Sequence, residues 1–143
     1  MTAARILAEK GAHVVTVTPG DTVHAAAQTL TTHKVGAAIV VNEQGGPVGV
    51  FSERDLARVI AETGADSLGQ AIDRVMSTDL VTAESSVTID DLMAMMTERR
   101  VRHIIIKEGG GMAGVVSIGD VVKRKIASAE AEAESLKAYI EGV

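Results

Sequence analysis

Apolar residues recur at helical spacing in two separate stretches of this 143-residue chain. In each stretch an apolar residue is followed by others three, four and seven positions later. The two sets are Val23, Ala26, Ala27 and Leu30, and Ile89, Leu92, Met93 and Met96. This period places the apolar side chains along one face of a helix. The pattern therefore predicts two amphipathic helices, each with one buried face.

Short runs of β-branched residues follow both predicted helices. The runs are AAIVV at residues 37–41 and HIIIK at residues 103–107, and both are too short for helices. Such runs are typical of buried strands. Glycine-rich turns follow them and lead into GVFSERD at residues 49–55 and GVVSIGD at residues 114–120. We expect an antiparallel hairpin across each turn and a helical crossover before it.

These matched elements form an internal repeat. Residues 15–23 align with residues 81–89, and the alignment continues through the helices, strands and turns. Each half reads strand, helix, strand, turn, strand, helix, which is an α+β unit. A half of about 50 residues is too small to cover both faces of its sheet, so we expect the two sheets to pack against each other.

The repeat also predicts the domain organisation. Residues 1–64 would hold an N-terminal helix and the first repeat, and residues 65–143 a linker helix, the second repeat and a C-terminal helix. In SLGQAIDRVM, residues 67–76, Ser67 and Gln70 have the spacing of a capping box. This spacing predicts a short capped helix as the linker.

Composition narrows the functional classes. With 46% hydrophobic residues, 23% charged residues and two prolines, the chain is expected to be ordered. A net charge of −5, one Tyr, one Phe and no Trp argue against binding of nucleic acid. The lack of Cys excludes disulfides and fits a reducing compartment. The sequence has no apolar run long enough for a membrane span, so a cytoplasmic location is expected.

The chain resembles a cystathionine-β-synthase (CBS) domain pair, or Bateman module, in three features. These are the doubled element order, the apolar helix faces before KVGAAIVV and RVRHIIIK, and the two Gly-x-x-Ser-x-x-Asp stretches. The resemblance covers roughly residues 15–122 and suggests the small stand-alone bacterial type. It implies two pseudo-symmetric β-α-β-β-α repeats packed sheet to sheet, with an N-terminal helix and a long C-terminal helix. It also implies a regulatory module that binds AMP, ADP, ATP or NAD, without a catalytic cofactor, and signals to a partner protein of unknown identity.

Two interpretations of the repeated serine and aspartate remain open. As capping boxes, Ser52 with Asp55 and Ser117 with Asp120 would satisfy free N–H groups at helix starts, each contributing about 1 kcal/mol. As ligand groups, the carboxylates would accept both hydroxyls of a ribose, and the serines would bind a ribose oxygen or a phosphate. Spacing alone favours capping, the resemblance favours the ligand, and the two roles are compatible.

The resemblance implies further ligand contacts. Arg102 and His103 match positions whose basic side chains hold phosphates in the family, whereas the first repeat has Gly36 and Ala37 there. Family ligands take ribose contacts from one repeat and this loop from the other. We therefore expect Ser52 and Asp55 to pair with Arg102 and His103. Ser117 and Asp120 would face Gly36 and Ala37, a less charged cleft.

Three more residues are candidates for the clefts. Arg54 offers a guanidinium beside Asp55, although an arginine in a first helical turn is commonly solvated. Thr16 and Thr82 hold the strand edge that lines the cleft in the family, although threonine is also ordinary strand composition.

Other patterns do not predict chemistry. GGGMAG at residues 109–114 precedes a strand rather than a helix, so it is a turn and not a dinucleotide fingerprint. The four histidines lack metal-binding spacing, and no nucleophile with a base can be identified. We therefore expect no bound metal and no enzymatic activity. A ligand-free interaction module is the main alternative, and a nucleotide hydrolase is a third hypothesis.

The C-terminal segment has a heptad pattern, with apolar residues spaced alternately by four and three positions. They are Val122, Ile126, Ala129, Ala133, Leu136 and Ile140. One possibility is a helix that folds onto its own domain, for example against the helix at residues 3–10. The other is a helix that pairs with another subunit through this seam. The resemblance favours the second and implies a homodimer, because CBS pairs commonly dimerise.

Overall fold

A computed structural model describes residues 1–142 as an α+β fold. The elements are α1 (Ala3–Lys10), β1 (Thr16–Val17), α2 (Val23–His33), β2 (Ala37–Val41), β3 (Pro47–Ser52), α3 (Glu53–Thr63), β4 (Thr82–Glu84), α4 (Ile89–Arg99), β5 (His103–Glu108), β6 (Gly111–Ser117) and α5 (Ile118–Ile140). Two 3-10 helices, Gly64–Gly69 and Ile72–Arg74, lie between α3 and β4. The predicted fold class, the doubled element order and the long C-terminal helix are confirmed.

Each repeat forms one three-stranded sheet. The strand orders are β1-β2-β3 and β4-β5-β6. β1 is parallel to β2, and β4 is parallel to β5, as expected for strands joined by a helical crossover. β2 and β3 are antiparallel, which confirms the first predicted hairpin.

The chain forms two compact units, which do not follow the order of the sequence. The first-repeat unit contains residues 13–80 with residues 109–112, and the second-repeat unit contains residues 1–12, 81–108 and the chain from residue 113 onward. The predicted division after residue 64 follows the repeats along the chain. By contacts, however, the N-terminal helix groups with the second repeat and the linker groups with the first. The predicted packing of one sheet on the other stays a prediction.

The N-terminal segment completes the core of the second-repeat unit. Ile6 and Leu7 of α1 are buried among the apolar residues of that repeat. Backbone bonds hold the segment in place: Ala3 N–H donates to the Val87 carbonyl, and Ala4 N–H to the Ser85 carbonyl, both at 2.9 Å. α1 therefore supplies apolar area that the repeat alone lacks.

The linker has the corresponding role in the first-repeat unit, but it forms two short 3-10 helices without the predicted Ser67 cap. Ser67 lies buried inside the first 3-10 helix and donates its Oγ proton to the Gly64 carbonyl at 2.7 Å. The Gln70 carbonyl accepts from Val23 N–H, and Ile72 N–H donates to the Asp21 carbonyl. These bonds to another part of the unit replace those of a continuous α-helix. They place Ile72 and Val75 in the core.

The repeated glycines make room for these two segments. A Cβ on Gly49 would lie 2.5 Å from Met76 Sδ, and a Cβ on Gly114 would lie 2.7 Å from Leu7 Cδ2. Both distances are far below van der Waals contact. The first position of Gly-x-x-Ser-x-x-Asp therefore has a packing role in each unit.

The heptad seam of α5 is exposed. Val121 is buried, but the side chains of Val122, Ile126, Leu136 and Ile140 are 46%, 54%, 59% and 74% exposed. The seam therefore does not pack on its own unit, in contrast to the first of the two interpretations of this helix. No helix within residues 1–142 has the length and apolar character to cross a membrane.

Candidate functional site

Both Gly-x-x-Ser-x-x-Asp stretches form complete capping boxes at strand-to-helix junctions. In the first, Ser52 Oγ accepts from Asp55 N–H at 3.3 Å and Asp55 Oδ2 accepts from Ser52 N–H at 2.9 Å. In the second, the corresponding distances for Ser117 and Asp120 are 3.1 and 2.9 Å. The predicted capping role is confirmed for both repeats. A ligand role for these residues stays a prediction.

The carboxylate of Asp55 is fully engaged by its own unit. Only 5% of the residue is exposed. Oδ2 also accepts from Ser52 Oγ at 3.0 Å. Oδ1 accepts from Arg58 Nη2 at 2.8 Å and from Ser77 Oγ at 3.1 Å. Each oxygen thus has two donors, which matches the four acceptor sites of a carboxylate. A ligand at Asp55 would have to replace one of these groups.

Asp120 differs from Asp55 in both exposure and hydrogen bonding. Its side chain is 19% exposed, and Oδ2 accepts from Lys10 Nζ at 2.6 Å as well as from Ser117 N–H. Within residues 1–142, no hydrogen bond reaches Oδ1. Burial alone would raise the pKa of Asp120, but the bonds from Lys10 and Ser117 outweigh it and lower the pKa. Asp120 is therefore an ionised carboxylate with one oxygen open to a donor.

Lys10 contacts the closing strand and the aspartate of the second-repeat unit, as Ser77 does in the first-repeat unit. Val50 of β3 exchanges two backbone hydrogen bonds of 2.9 Å with Ser77, whose hydroxyl also binds Asp55. The aligned residue of β6 is Val115, and its carbonyl accepts from Lys10 Nζ at 2.8 Å. One side chain from α1 thus binds both the strand edge and the carboxylate.

Arg102 and His103 lie in the same unit as Asp120. The Arg102 carbonyl accepts from Ile118 N–H, the first residue of α5, at 2.8 Å. Burial of His103 lowers the pKa of its imidazole, and the charges of Lys10 and Arg102 lower it further against the opposing effect of Asp120. His103 is therefore neutral at neutral pH. The predicted pairing of these two residues with Asp55 stays a prediction.

The remaining predicted residues lie beside the corresponding positions of each repeat. The Gly36 carbonyl accepts from Glu53 N–H at 2.9 Å, and Ala37 is opposite Ser52 in the β2–β3 ladder. Arg54 is exposed in the first turn of α3. Thr16 and Thr82 are exposed on β1 and β4 and pair with Ile39 and Ile105.

Three polar residues that contact Asp55 or Asp120 were not predicted from the sequence. Arg58 could have been found, because a side chain three positions after Asp55 lies on the same helix face. Ser77 and Lys10 carry no such signal, since they lie 22 and 110 positions from the aspartates that they contact. Within the described part of the chain, no cluster of three or more His, Asp or Glu side chains is arranged to hold a metal ion.

A doubled α+β repeat in which each closing strand leads into a capped helix defines a paired-domain module. The profile of the CBS domain family matches residues 3–62 and 72–126, so the chain belongs to this family. The resemblance drawn from the sequence is thereby confirmed.

Several known proteins are similar to this chain. The crystal structure of a CBS-domain-containing protein from Agrobacterium tumefaciens superposes with a TM-score of 0.84 and 42% identity, covering 87% of this chain and 92% of the other. The CBS domain-containing protein YhcV of Bacillus subtilis is 33% identical over 119 residues, 82% of this chain and 83% of that protein. The mitochondrial CBSX3 of Arabidopsis thaliana is 37% identical over 129 residues, 87% of this chain but only 63% of that protein's length.

Two more distant structures share the fold and contain ligands. A CBS domain protein from Pyrobaculum aerophilum, in complex with AMP, has a TM-score of 0.74 and 24% identity, covering 84% of this chain and 89% of that protein. A CBS domain pair in complex with 5'-methylthioadenosine and S-adenosyl-L-methionine has a TM-score of 0.79 and 19% identity, covering 90% and 98%. At these identities the likeness shows the fold alone.

Proposed function

We propose that this protein is a regulatory module that binds an adenine nucleotide and that Asp120 holds the ribose. The observation that carries the proposal is the open Oδ1 of an ionised, partly exposed carboxylate at the start of α5. A ribose diol offers donors, which such an oxygen accepts. The ligands in the two distant structures, AMP and the two adenosyl sulfur compounds, all contain adenosine, which supports this class.

Arg102 and His103 are proposed to complete this half of the site. The permanent positive charge of Arg102 suits a phosphate, and neutral His103 offers both a donor and an acceptor to the sugar or base. The backbone at the start of α5 also favours an anion. The alternative pairing, in which Arg102 and His103 serve a ligand on Asp55, requires a ligand hydroxyl to displace Ser77 or Arg58.

Calorimetric titration with AMP, ADP, ATP and NAD tests the proposal, after mass spectrometry of small molecules released from the purified protein. We expect binding of at least one adenylate. We also expect a thermal shift, because a ligand at 100 times its Kd stabilises the folded state by about 2.7 kcal/mol. Titrations and thermal scans without response to any of the four would favour the ligand-free interaction module. Release of ADP from ATP would instead support a hydrolase.

Ligand binding is proposed to change the arrangement of the module, and a partner protein is proposed to recognise this change. A ligand shifts such an equilibrium only when it binds the two arrangements with different affinity. The names of two of the relatives, CBSX3 and YhcV, state no catalytic activity, whereas two inosine-5'-monophosphate dehydrogenases match over only 22% of their own length. Both observations support a regulatory rather than an enzymatic role.

A homodimer through α5 is also part of the proposal. The exposed apolar seam of α5 has the period of a two-helix interface. Light scattering on Ile126→Glu tests this, with Ser128→Glu as a matched control that adds the same charge off the seam. We expect a dimer for the wild type and the control, and a monomer for Ile126→Glu. A monomeric wild type would contradict this part of the proposal.

A further inference from the structure

Lys10 connects the N-terminal helix to the proposed ligand carboxylate. It is the last residue of α1, and its Nζ donates to Asp120 Oδ2 at 2.6 Å and to the Val115 carbonyl at 2.8 Å. An ammonium has three N–H donors, so one is left for another acceptor. The Lys10 side chain is 30% exposed. It therefore reaches the site while remaining accessible to a ligand.

The end of α1 that carries Lys10 is fixed by two neighbouring contacts. Leu7 packs where Gly114 leaves space on β6. Glu9 forms an ion pair with Arg124 of α5, with 3.4 Å between Oε2 and Nε, and the Arg124 side chain is only 11% exposed. Lys10, Glu9 and Leu7 thus dock one end of α1 on the same strand and helix that present Asp120.

Lys10 leaves room for a ligand rather than competing with it. It binds Oδ2, whereas Oδ1 has no hydrogen-bond partner within residues 1–142. If Lys10 left, the Val115 carbonyl would lose its bond, and Oδ2 would keep the Ser117 N–H donor but lose the charged one. In the first-repeat unit, by contrast, Arg58 and Ser77 occupy Oδ1 of Asp55.

We infer that Lys10 is a positioning residue of the second-repeat site, and that ligand binding at Asp120 and docking of α1 stabilise each other. The inference rests on the proposed function. Lys10 holds the carboxylate in the orientation that a ribose hydroxyl needs. A ligand that binds this orientation binds the docked state of α1 more tightly. Because coupling between two events is reciprocal, the ligand must also stabilise the docked helix.

Hydrogen exchange of residues 3–10, combined with calorimetry, tests the inference. The variants are Lys10→Met, which keeps an apolar stem without the charge, and Lys10→Arg, which keeps the charge. Arg5→Met is the matched control, because it removes a cation from α1 whose ion pair with Glu9 is exposed. Each protein is measured with and without saturating AMP, or whichever of ADP, ATP and NAD the wild type binds.

We expect the ligand to slow exchange of α1 in the wild type and in Arg5→Met. In Lys10→Met, affinity should fall about tenfold, the typical consequence of losing a hydrogen bond between charged groups, and the ligand should no longer slow exchange of α1. Lys10→Arg should recover part of both effects. A purely structural Lys10 would change exchange without changing affinity.

Two results would overturn the inference while leaving the proposed function intact. One is wild-type affinity in Lys10→Met, and the other is a ligand that speeds exchange of α1, as expected if it displaced Lys10. A wild type that binds none of the four adenylates would overturn the proposed function and the coupling with it. Comparing the wild-type titration with that of Lys10→Met therefore separates the two failures.

Discussion

The two repeats use the same seven-residue pattern but complete it with unrelated groups. Both serine–aspartate pairs cap a helix, with similar backbone distances. Asp55 then receives Arg58 and Ser77 and becomes buried, whereas Asp120 receives Lys10 and keeps one oxygen open. The difference shows that the motif fixes the local cap, while the side chains around it decide how many donors its carboxylate receives.

Ser77 and Lys10 lie on segments that precede the first strand of a repeat, and both fall within the residues matched by the family profile. The linker covers β3 in the first-repeat unit, and α1 covers β6 in the second. Each segment needs a glycine on the strand, at Gly49 and Gly114. In both units, therefore, a segment packs at the same place on the closing strand, but the side chains with which it contacts the aspartate differ.

The largest predicted difference between the repeats is in stability. Asp55→Ala should lower the free energy of unfolding by about 3 kcal/mol, because it removes a cap and leaves several donors in a buried site without an acceptor. Asp120→Ala, at a more exposed site with one ion pair, should lower it by about 1 kcal/mol. Urea unfolding measures both values. Equal losses would contradict the contrast.

The two glycines should give the next largest effect. Gly49→Ala should destabilise by about 2 kcal/mol, because the new Cβ would press on Met76 and on the Ser77 carbonyl, which would lie at 3.1 Å. Gly114→Ala should destabilise by about 1 kcal/mol, since its nearest neighbour is the end of the Leu7 side chain. Gly20→Ala is the control for thermal unfolding, as nothing lies within 4 Å of that Cβ. Stability unchanged in all three would contradict the packing role.

Ser77→Ala sharpens the comparison by making Asp55 resemble Asp120. It removes one donor from Asp55 Oδ1 but leaves the backbone bonds between Ser77 and Val50. We expect a loss of about 1 kcal/mol in the free energy of unfolding, the usual net contribution of one hydrogen bond. A loss as large as that of Asp55→Ala would mean that Ser77, and not the full set of donors, holds the carboxylate.

The smallest expected effect is a pH dependence from His103. Its pKa is lowered in the folded state by burial and by Lys10, so the unfolded chain binds the proton more readily. Stability should therefore fall as the pH drops below about 6.5, the pKa of an unperturbed histidine, until the lowered folded pKa is reached. His103→Gln should reduce this slope in urea titrations between about pH 6.5 and 5. Identical slopes would show that His103 does not contribute.

Much of the fold could be predicted because periodicity and turn residues are local signals. The two amphipathic helices (α2 and α4), the two buried strands (β2 and β5) and both capping boxes all appear at the expected positions. The linker was harder, because bonds to Asp21 and Val23 override its local capping pattern. Ser77 and Lys10 were hardest, since the pattern that the two motifs share carries no information on the distant groups that fold against them.

Calorimetric titration of AMP into Asp120→Asn and Asp55→Asn tests the central claim most directly, namely that the second-repeat carboxylate holds the ligand. Circular dichroism confirms that each variant is folded, and Ser52→Ala replaces Asp55→Asn if that variant unfolds. We predict that Asp120→Asn gives no binding heat and that the first-repeat variant binds with wild-type affinity. Wild-type binding by Asp120→Asn, together with loss of binding in the first-repeat variant, would contradict the account.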